Sequence, residues 1–486
     1  MPRWSYHSSV IRQGGQIMNI PNHRRFQQQI RFLRQQFLQD ADLPFARVLT
    51  NASIEKIVEL AGLNWRERIF SPVVTLWVFL SQVLSADNCC RAAVARLNAH
   101  RASLGAAPCS GATGGYCQAR KRLPEKFFAA IARHTGTEIE EAVDKQWLWM
   151  QRRVLMFDGT IVSMPDTKEN QAEYPQPSSQ KPGVGFPLAR IAAIFSLATG
   201  AIIDLGIAAY SGVSQGELSL LRQLIGVFRP GDVMLADRLM CSWREMAMLK
   251  SRGVDVVTRL TSHRTADFRT GKRLGKGDHI VRWDKPKLRQ VEFEDSDLPD
   301  YLDVRETRIV VDHAGFRPLI IILVTTLLDD KLITKEDLQQ LYRARWHNEL
   351  DLRALKETLQ MDVLRCKTPE LIRKEIWTHI ITYNLIRAMI AQSAMKHGIE
   401  PRTISFKGAI QTLIAFQPLI KGICCNSTKI RIEVFHQVLD AIAIHRVANR
   451  PDRFEPRQRK RRDGAYDLLT KPRHVAKQEI QQRLKR

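Results

Sequence analysis

The chain has 486 residues, of which 44% are hydrophobic, and its formal net charge is +24. That length exceeds what one hydrophobic core serves and predicts roughly two to four structural units, while the apolar content excludes a chain that stays disordered. The cationic excess recurs in Arg120–Lys121–Arg122, Arg152–Arg153, Lys272–Arg273 and from Lys285 to Arg289, a spread that calls for a polyanionic partner, most simply nucleic acid.

A membrane surface is the competing polyanion, but it needs a basic amphipathic anchor or a spanning segment, and the sequence offers neither. The most apolar early run, Val73 to Leu84, is interrupted by Thr75, Ser81 and Gln82; it is too short for a bilayer and reads as a buried helix. The first residues lack a signal-peptide pattern, so a cytoplasmic, nucleoid-associated protein is expected. Eight cysteines include the adjacent pairs Cys89–Cys90 and Cys424–Cys425, which fit neither a disulfide framework nor CxxC zinc spacing. Only Cys109 and Cys117 with His100 keep a zinc site open.

Residues 1–45 are basic and Gln-rich, with one amphipathic helix expected near Phe26 to Phe37. Helical segments follow at about Ile54–Ala61, Val73–Leu84, Asp87–Asn98, Thr113–Arg122 and Glu125–Val143. Short helices ending in the basic stretch Tyr116 to Arg122 suit a helix–turn–helix-like DNA module, or equally a packed helical subdomain with a solvated basic face.

From Arg153 the texture changes. Val154 to Phe157 is a short apolar run that reads as a buried strand closing at Asp158–Gly159. Ala192 to Leu197, the turn Ala198–Thr199–Gly200, and Ala201 to Ala209 give a hairpin signal. A helix is expected at about Glu217–Phe228. A strand from Val233 then closes at Asp237, a helix covers Ser242 to Lys250, and a strand covers Val254 to Leu260. Three strands, helix, strand, helix, strand is the order of an RNase H-like α/β fold with a mixed sheet. Residues 261–327 read as a β-rich insertion holding His279–Trp283, Thr307–Val311, the His313–Ala314–Gly315 turn and Leu319–Val324. Helices are then expected at 335–359, 369–397, 405–415 and 430–446, and a basic tail follows from Arg457 to Arg462 onward. The resulting division is an N-terminal helical region (1–145), a catalytic core in two parts (150–260 and 328–365) around the insertion (261–327), a C-terminal helical region (366–450) and a tail (451–486).

Asp158 and Asp237 each end an apolar run. One strand-end aspartate is ordinarily a turn or helix cap; two at matching positions suggest paired carboxylates for metal-dependent phosphoryl transfer. The helix opened by Thr334 and Asp337, a capping-box variant, carries Tyr342, Arg345, Glu349 and Lys356. At ~100° per residue these four fall within ~60° of one another. A carboxylate for metal flanked by groups for phosphate gives that stripe a chemical logic.

Tyr342–x2–Arg345–x3–Glu349–x6–Lys356 resembles the Y-R-E-K signature of DDE transposases of the insertion-sequence-four family. Asp158–Gly159–Thr160 resembles that family's first-aspartate motif and Asp237–Arg238 its second, and the loop with Pro165–Asp166–Thr167, Asn170 and Tyr174–Pro175 is similar to the segment after the first aspartate. The resemblance implies a bacterial insertion-sequence transposase in which Asp158, Asp237 and Glu349 bind two Mg²⁺ (or Mn²⁺) ions. It also implies that Tyr342, Arg345, Lys356 and Arg238 hold phosphates, although for Arg238 a structural ion pair is an equal reading. Some relatives release the element through a hairpin and stack an aromatic on a flipped base; Trp283, beside Arg282, Lys285 and Lys287, is the candidate here, and a tryptophan packed in a small core is the plain alternative. Double-stranded DNA, as terminal inverted repeats and target, is the implied partner. A homodimer joined through 369–446 would pair two ends. The competing readings are an RNase H-like nuclease or resolvase, which cuts without joining, and a noncatalytic DNA-binding protein.

Overall fold

The computed structural model describes residues 22–39, 44–286, 298–311, 319–422, 428–447 and 470–484. Lys287, the His313–Ala314–Gly315 turn, Cys424–Cys425 and the Arg457–Arg462 run lie outside them. The first helices are α1 (His23–Gln36), α2 (Asn51–Leu60), α3 (Pro72–Val83), α4 (Cys90–Ser103), α5 (Gly114–Arg122) and α6 (Glu125–Glu141). Next come β1 (Val154–Ser163), α7 (Lys168–Glu173), β2 (Leu188–Ser196), β3 (Ile202–Ala209), α8 (Glu217–Leu224), β4 (Val233–Ala236), α9 (Trp243–Ser251) and β5 (Asp255–Arg259). The strands β6 (Lys272–Gly275), β7 (Asp278–Asp284), β8 (Tyr301–Val311) and β9 (Leu319–Thr325) precede α10 (Lys335–Ala344) and α11 (Trp346–Arg353). The remaining helices are α12 (Pro369–His397), α13 (Phe406–Gly422), α14 (Thr428–Ile444) and α15 (Arg473–Leu484).

These elements form two compact units. One comprises residues 1–147, 198–204 and 353–447; the other comprises 148–197, 205–352 and 448–486. The N-terminal and C-terminal helical regions, expected as separate flanks, thus share one unit. The reason is α12, a 29-residue helix buried on almost every side from Leu371 to Ala394. A helix apolar all round must be covered all round, and α3, α6, α13 and α14 pack against it. Its polar residues are used internally. Asn384 accepts from the Ile202 N–H at 2.9 Å and donates to the Ile202 carbonyl at 2.9 Å. Glu375 accepts from the N–H groups of Arg365 and Cys366. Arg120, expected in a DNA-facing basic run, is buried instead. Its guanidinium faces the sulfurs of Cys90, Cys117 and Cys366 and the rings of Phe79 and Tyr116. His100 stacks on Phe32, the Cys117 sulfur faces Arg120, and the Cys109 backbone N–H bonds Asn98.

The other unit is built on a nine-stranded sheet ordered β3-β2-β1-β4-β5-β9-β8-β7-β6. β1, β4 and β5 run parallel, and β2 lies antiparallel to β1. With helices on the β3–α8–β4 and β4–α9–β5 connections, this is the RNase H-like arrangement. Its central strand β4 is buried at all four residues, as parallel strands covered on both faces require. The insertion is no separate module, because β9 pairs antiparallel with β5 and β8, β7 and β6 extend the same sheet. Its hairpins bury a polar network: Arg305 with Asp278, and Glu306 with both His279 and Trp283.

Candidate active site

The register of the two central strands sets the site. Phe157 of β1 lies opposite Ala236 of β4, so the next residues along these parallel strands, Asp158 and Asp237, come side by side, on strands spaced ~4.8 Å apart. At this point the sheet changes. β4 stops and Asp237 caps a short 3-10 turn, its Oδ1 accepting from the Leu239 N–H at 2.8 Å. β1 does not stop at Asp158, contrary to the sequence reading; it runs on to Ser163 because β2 stays paired with it to Leu188. Asp158 therefore sits mid-strand, at the step where its neighbour on the β4 side has left. Its Oδ1 accepts from the Gly159 N–H at 2.8 Å. Burial pushes the Asp158 carboxyl up to about 6, and the charges of Asp237 and Glu217 act in the same direction, against the Gly159 N–H and Arg345.

The third carboxylate arrives from the helical segment after β9. Thr334 and Asp337 form a reciprocal capping box that starts α10. The helix is not continuous to 359, however. At Arg345 the bonding tightens, with the Arg345 N–H on the Tyr342 carbonyl and the Asn348 N–H on the Arg345 carbonyl, each three residues back. Residues Ala354–Thr358 then widen into a π-helical turn. The uniform rotation assumed for a Tyr342–Arg345–Glu349–Lys356 stripe therefore does not apply. Lys356 lies in the π turn and in the first unit. Tyr342, Arg345 and Glu349 do gather. The Arg345 guanidinium donates to Glu349 Oε1 at 3.0 Å and lies 5.8 Å from the Tyr342 ring centroid. Burial raises the Tyr342 hydroxyl above its usual range, opposed by the cations of Arg345 and Arg259. Tyr342 also senses Asp237, and Arg345 senses Asp158, so these groups share one electrostatic neighbourhood. Among the described residues no three His, Cys, Asp or Glu side chains are gathered as a metal cluster; Glu349 holds Arg345 instead.

Arg238 is exposed, and no carboxylate pairs with it among the described residues. Trp283 does not present a face to a base. It is 6% exposed, its Nε1 donates to Glu306 at 3.1 Å, and the Arg264 guanidinium covers its ring at 4.0 Å. The plain alternative, core packing, describes it. The sequence reading also missed a fourth carboxylate, Glu217, at the start of α8. Its side chain lies over Gly159 so closely that a Cβ there would stand 2.7 Å from the Glu217 carboxyl. Arg190 of β2 pairs with it at 3.1 Å. An Asp–Gly step on a strand signals a close backbone approach, but not which residue approaches.

Residues 149–385 match the family described as transposase DDE domain. The chain is 25% identical to the transposase InsG for insertion sequence element IS4 of Escherichia coli (strain K12), over 73% of this chain and 78% of that protein. Together these matches support a DDE transposase of the IS4 family. A shorter stretch, 15% of this transposase and 19% of its relative, is 36% identical to the transposase for insertion sequence element IS421 of Escherichia coli. Among solved structures, a piggyBac transposase synaptic complex with hairpin DNA aligns at TM-score 0.43 and 10% identity, covering 84% of this chain and 85% of that one.

DDE transposases generally use divalent metal ions, and the paired aspartates are the donors here of a kind that suits them. Asp158 and Asp237 offer oxygen ligands only, which suits a hard cation rather than zinc. Burying Asp158 beside a second carboxylate is unfavourable without a cation, and no lysine or arginine hydrogen-bonds to Asp158 or Asp237 among the described residues. Among those residues, no helix is long and apolar enough to cross a membrane.

Proposed function

We propose that this chain mobilises a bacterial insertion sequence by cut-and-paste transposition, binding the terminal inverted repeats, cutting at their ends and joining the freed 3′ ends to target DNA. The observation that carries the reading is the adjacency of Asp158 and Asp237 on β1 and β4, with Arg345, Tyr342 and Glu349 in the same electrostatic neighbourhood. Asp158, Asp237 and Glu349 would hold two Mg²⁺ or Mn²⁺ ions. Such ions supply an activated water or 3′-hydroxyl and neutralise the leaving oxygen in an in-line displacement.

The protein's own contribution is positioning. The Gly159 and Leu239 N–H groups each fix one oxygen of Asp158 and of Asp237, leaving the other free to turn toward a ligand. Arg345 is anchored by Glu349 and Tyr342, which presents its guanidinium for a phosphate oxygen beside the cut. Tyr342 and exposed Arg238 are assigned to neighbouring phosphates, and Lys356 of the other unit to a DNA phosphate of its own. Pairing two ends calls for a homodimer, and the DNA partner implies a nucleoid location.

The test is strand transfer with duplexes taken from the DNA flanking the coding region, with and without Mg²⁺. Asp158→Asn, Asp237→Asn and Glu349→Gln should each bind ends like the parent and lose cleavage. Normal cleavage by any of the three would sink the assignment. Cutting without joining would favour the nuclease reading, and binding without cutting the noncatalytic one.

A further inference from the structure

In the first unit, two adjoining cavities of about 630 and about 270 Å³ share Arg68, Phe70 and Arg122 as walls. The larger lies within, and the smaller just below, the ~300–1,000 Å³ range of sites that take small molecules, and their walls add cationic side chains to apolar ones. They carry three arginines, Arg66, Arg68 and Arg122, and no aspartate or glutamate. The acid nearest in sequence, Glu67, is paired with Arg25 at 2.5 Å. All three arginines are exposed, with no carboxylate partner among the described residues. The smaller cavity is walled by Trp65, Phe70 and Pro72, and the Gly115 turn of α5 lies against Phe70.

One further observation points to a ligand. Thr75 is 1% exposed, lines the smaller cavity, and its Oγ1 has no hydrogen-bond partner. Buried hydroxyls are ordinarily satisfied. A cavity that combines unpaired guanidinium forks, aromatic walls and an orphan hydroxyl matches the parts of one nucleotide. The forks suit phosphodiester oxygens, the rings suit an unstacked base, and the hydroxyl suits a polar base edge or the sugar.

We propose that this cavity pair holds one nucleotide of the bound DNA, its phosphodiester between Arg68 and Arg122 and its unstacked base against Phe70 and Trp65, within reach of the Thr75 hydroxyl. The inference rests on the transposase reading for the identity of the ligand, and it adds a DNA-gripping site in the helical unit, formed by residues outside the carboxylate site.

The test uses the full-length chain in EDTA and a fluorescein-labelled duplex with a single-stranded overhang carrying 2-aminopurine. Arg68→Gln/Arg122→Gln should reduce the slope of log K against log salt by about 1.5–2, as expected for two lost phosphate contacts. Phe70→Ala should abolish the change in 2-aminopurine fluorescence on binding and leave most of that slope. Thr75→Val, nearly isosteric, should weaken overhang binding severalfold and keep or raise the melting temperature, because it removes a buried hydroxyl that the free protein leaves unbonded. A parent-like salt slope in the double arginine variant overturns the proposal, as does a Thr75→Val protein that melts lower yet binds normally. If the parent chain itself fails to bind the duplex, the transposase reading falls along with it; if the parent binds and only the variants behave like it, this inference alone falls.

Discussion

The buried ion pair of the inserted hairpins offers the sharpest stability test. Arg305 on β8 is 1% exposed; its Nε and Nη2 donate to the two oxygens of Asp278 at 2.9 and 2.6 Å, and its Nη1 donates to the Ile333 carbonyl at 2.7 Å. Ile333 immediately precedes Thr334, the cap of α10, the helix that leads into Arg345 and Glu349. Arg305→Met keeps the length of the side chain but strands the Asp278 carboxylate, which is only 8% exposed, and frees the carbonyl that ties α10 to the sheet. Removing one partner of a buried pair costs about 3–5 kcal/mol. Arg305→Met/Asp278→Leu replaces both charges by apolar groups, so it should lose less than the two single changes summed, with a coupling of about 0.5–3 kcal/mol. Urea unfolding followed by tryptophan fluorescence suits the measurement, since Trp283 bonds Glu306 in the adjoining network and Trp243 bonds the Trp283 carbonyl. DNA cleavage should fall in the single variant at temperatures where the parent is fully folded, through loosening of α10. A single-variant loss under ~1 kcal/mol, the range of exposed pairs, or strict additivity in the double variant would refute the reasoning.

Two further expectations concern the helical unit. A Cβ on Gly136 of α6 would stand 2.1 Å from the Ile202 carbonyl oxygen, a backbone atom that cannot swing aside; Gly136→Ala should therefore destabilise by at least the ~1–3 kcal/mol of an overpacked core, and a melting temperature equal to the parent's would contradict the packing described. His379 of α12 is fully enclosed and burial drives its pKa down to about 3, so its neutral ring adds stability that is complete above the unfolded value near 6.5 and is lost progressively as pH falls toward 3. Between pH 7 and pH 5 the parent should lose about 2 kcal/mol of stability relative to His379→Leu; a difference independent of pH would show that the ring is not held neutral.

The order of the elements was legible because local signals fix it. Apolar runs of strand length ended at Asp158 and Asp237, the capping box at Thr334 and Asp337 announced α10, and the helix expected at 369–397 is α12, which starts at Pro369 and stops before Gly398. Local patterning did not reveal long-range register. The insertion's strands read as β-structure, but nothing in their alternation says that β9 pairs with β5 and extends the catalytic sheet. Arg120 read as part of a basic run, and only the packing of α5 shows it enclosed by three cysteines and two rings. Trp283 read as a possible stacking surface beside cations, and the tertiary structure gives those contacts to Glu306 and Arg264. Glu217 was overlooked because its closeness to Asp158 depends on how α8 lies over Gly159.

The sequence by itself determined which residues were candidates for the site and in what order they follow, because spacing, period and capping are properties of neighbours along the chain. The tertiary structure decided which carboxylates meet. Asp158 and Asp237 adjoin because β1 and β4 are parallel in that register, whereas Glu349 meets Arg345 at the i,i+4 spacing that periodicity already gives, on a helix that tightens at Arg345 and widens at Ala354–Thr358 before Lys356 is reached. A periodicity argument treats such a helix as uniform. Packing and hydrogen bonding against the sheet do not, and that difference separates a stripe of residues on paper from a site in space.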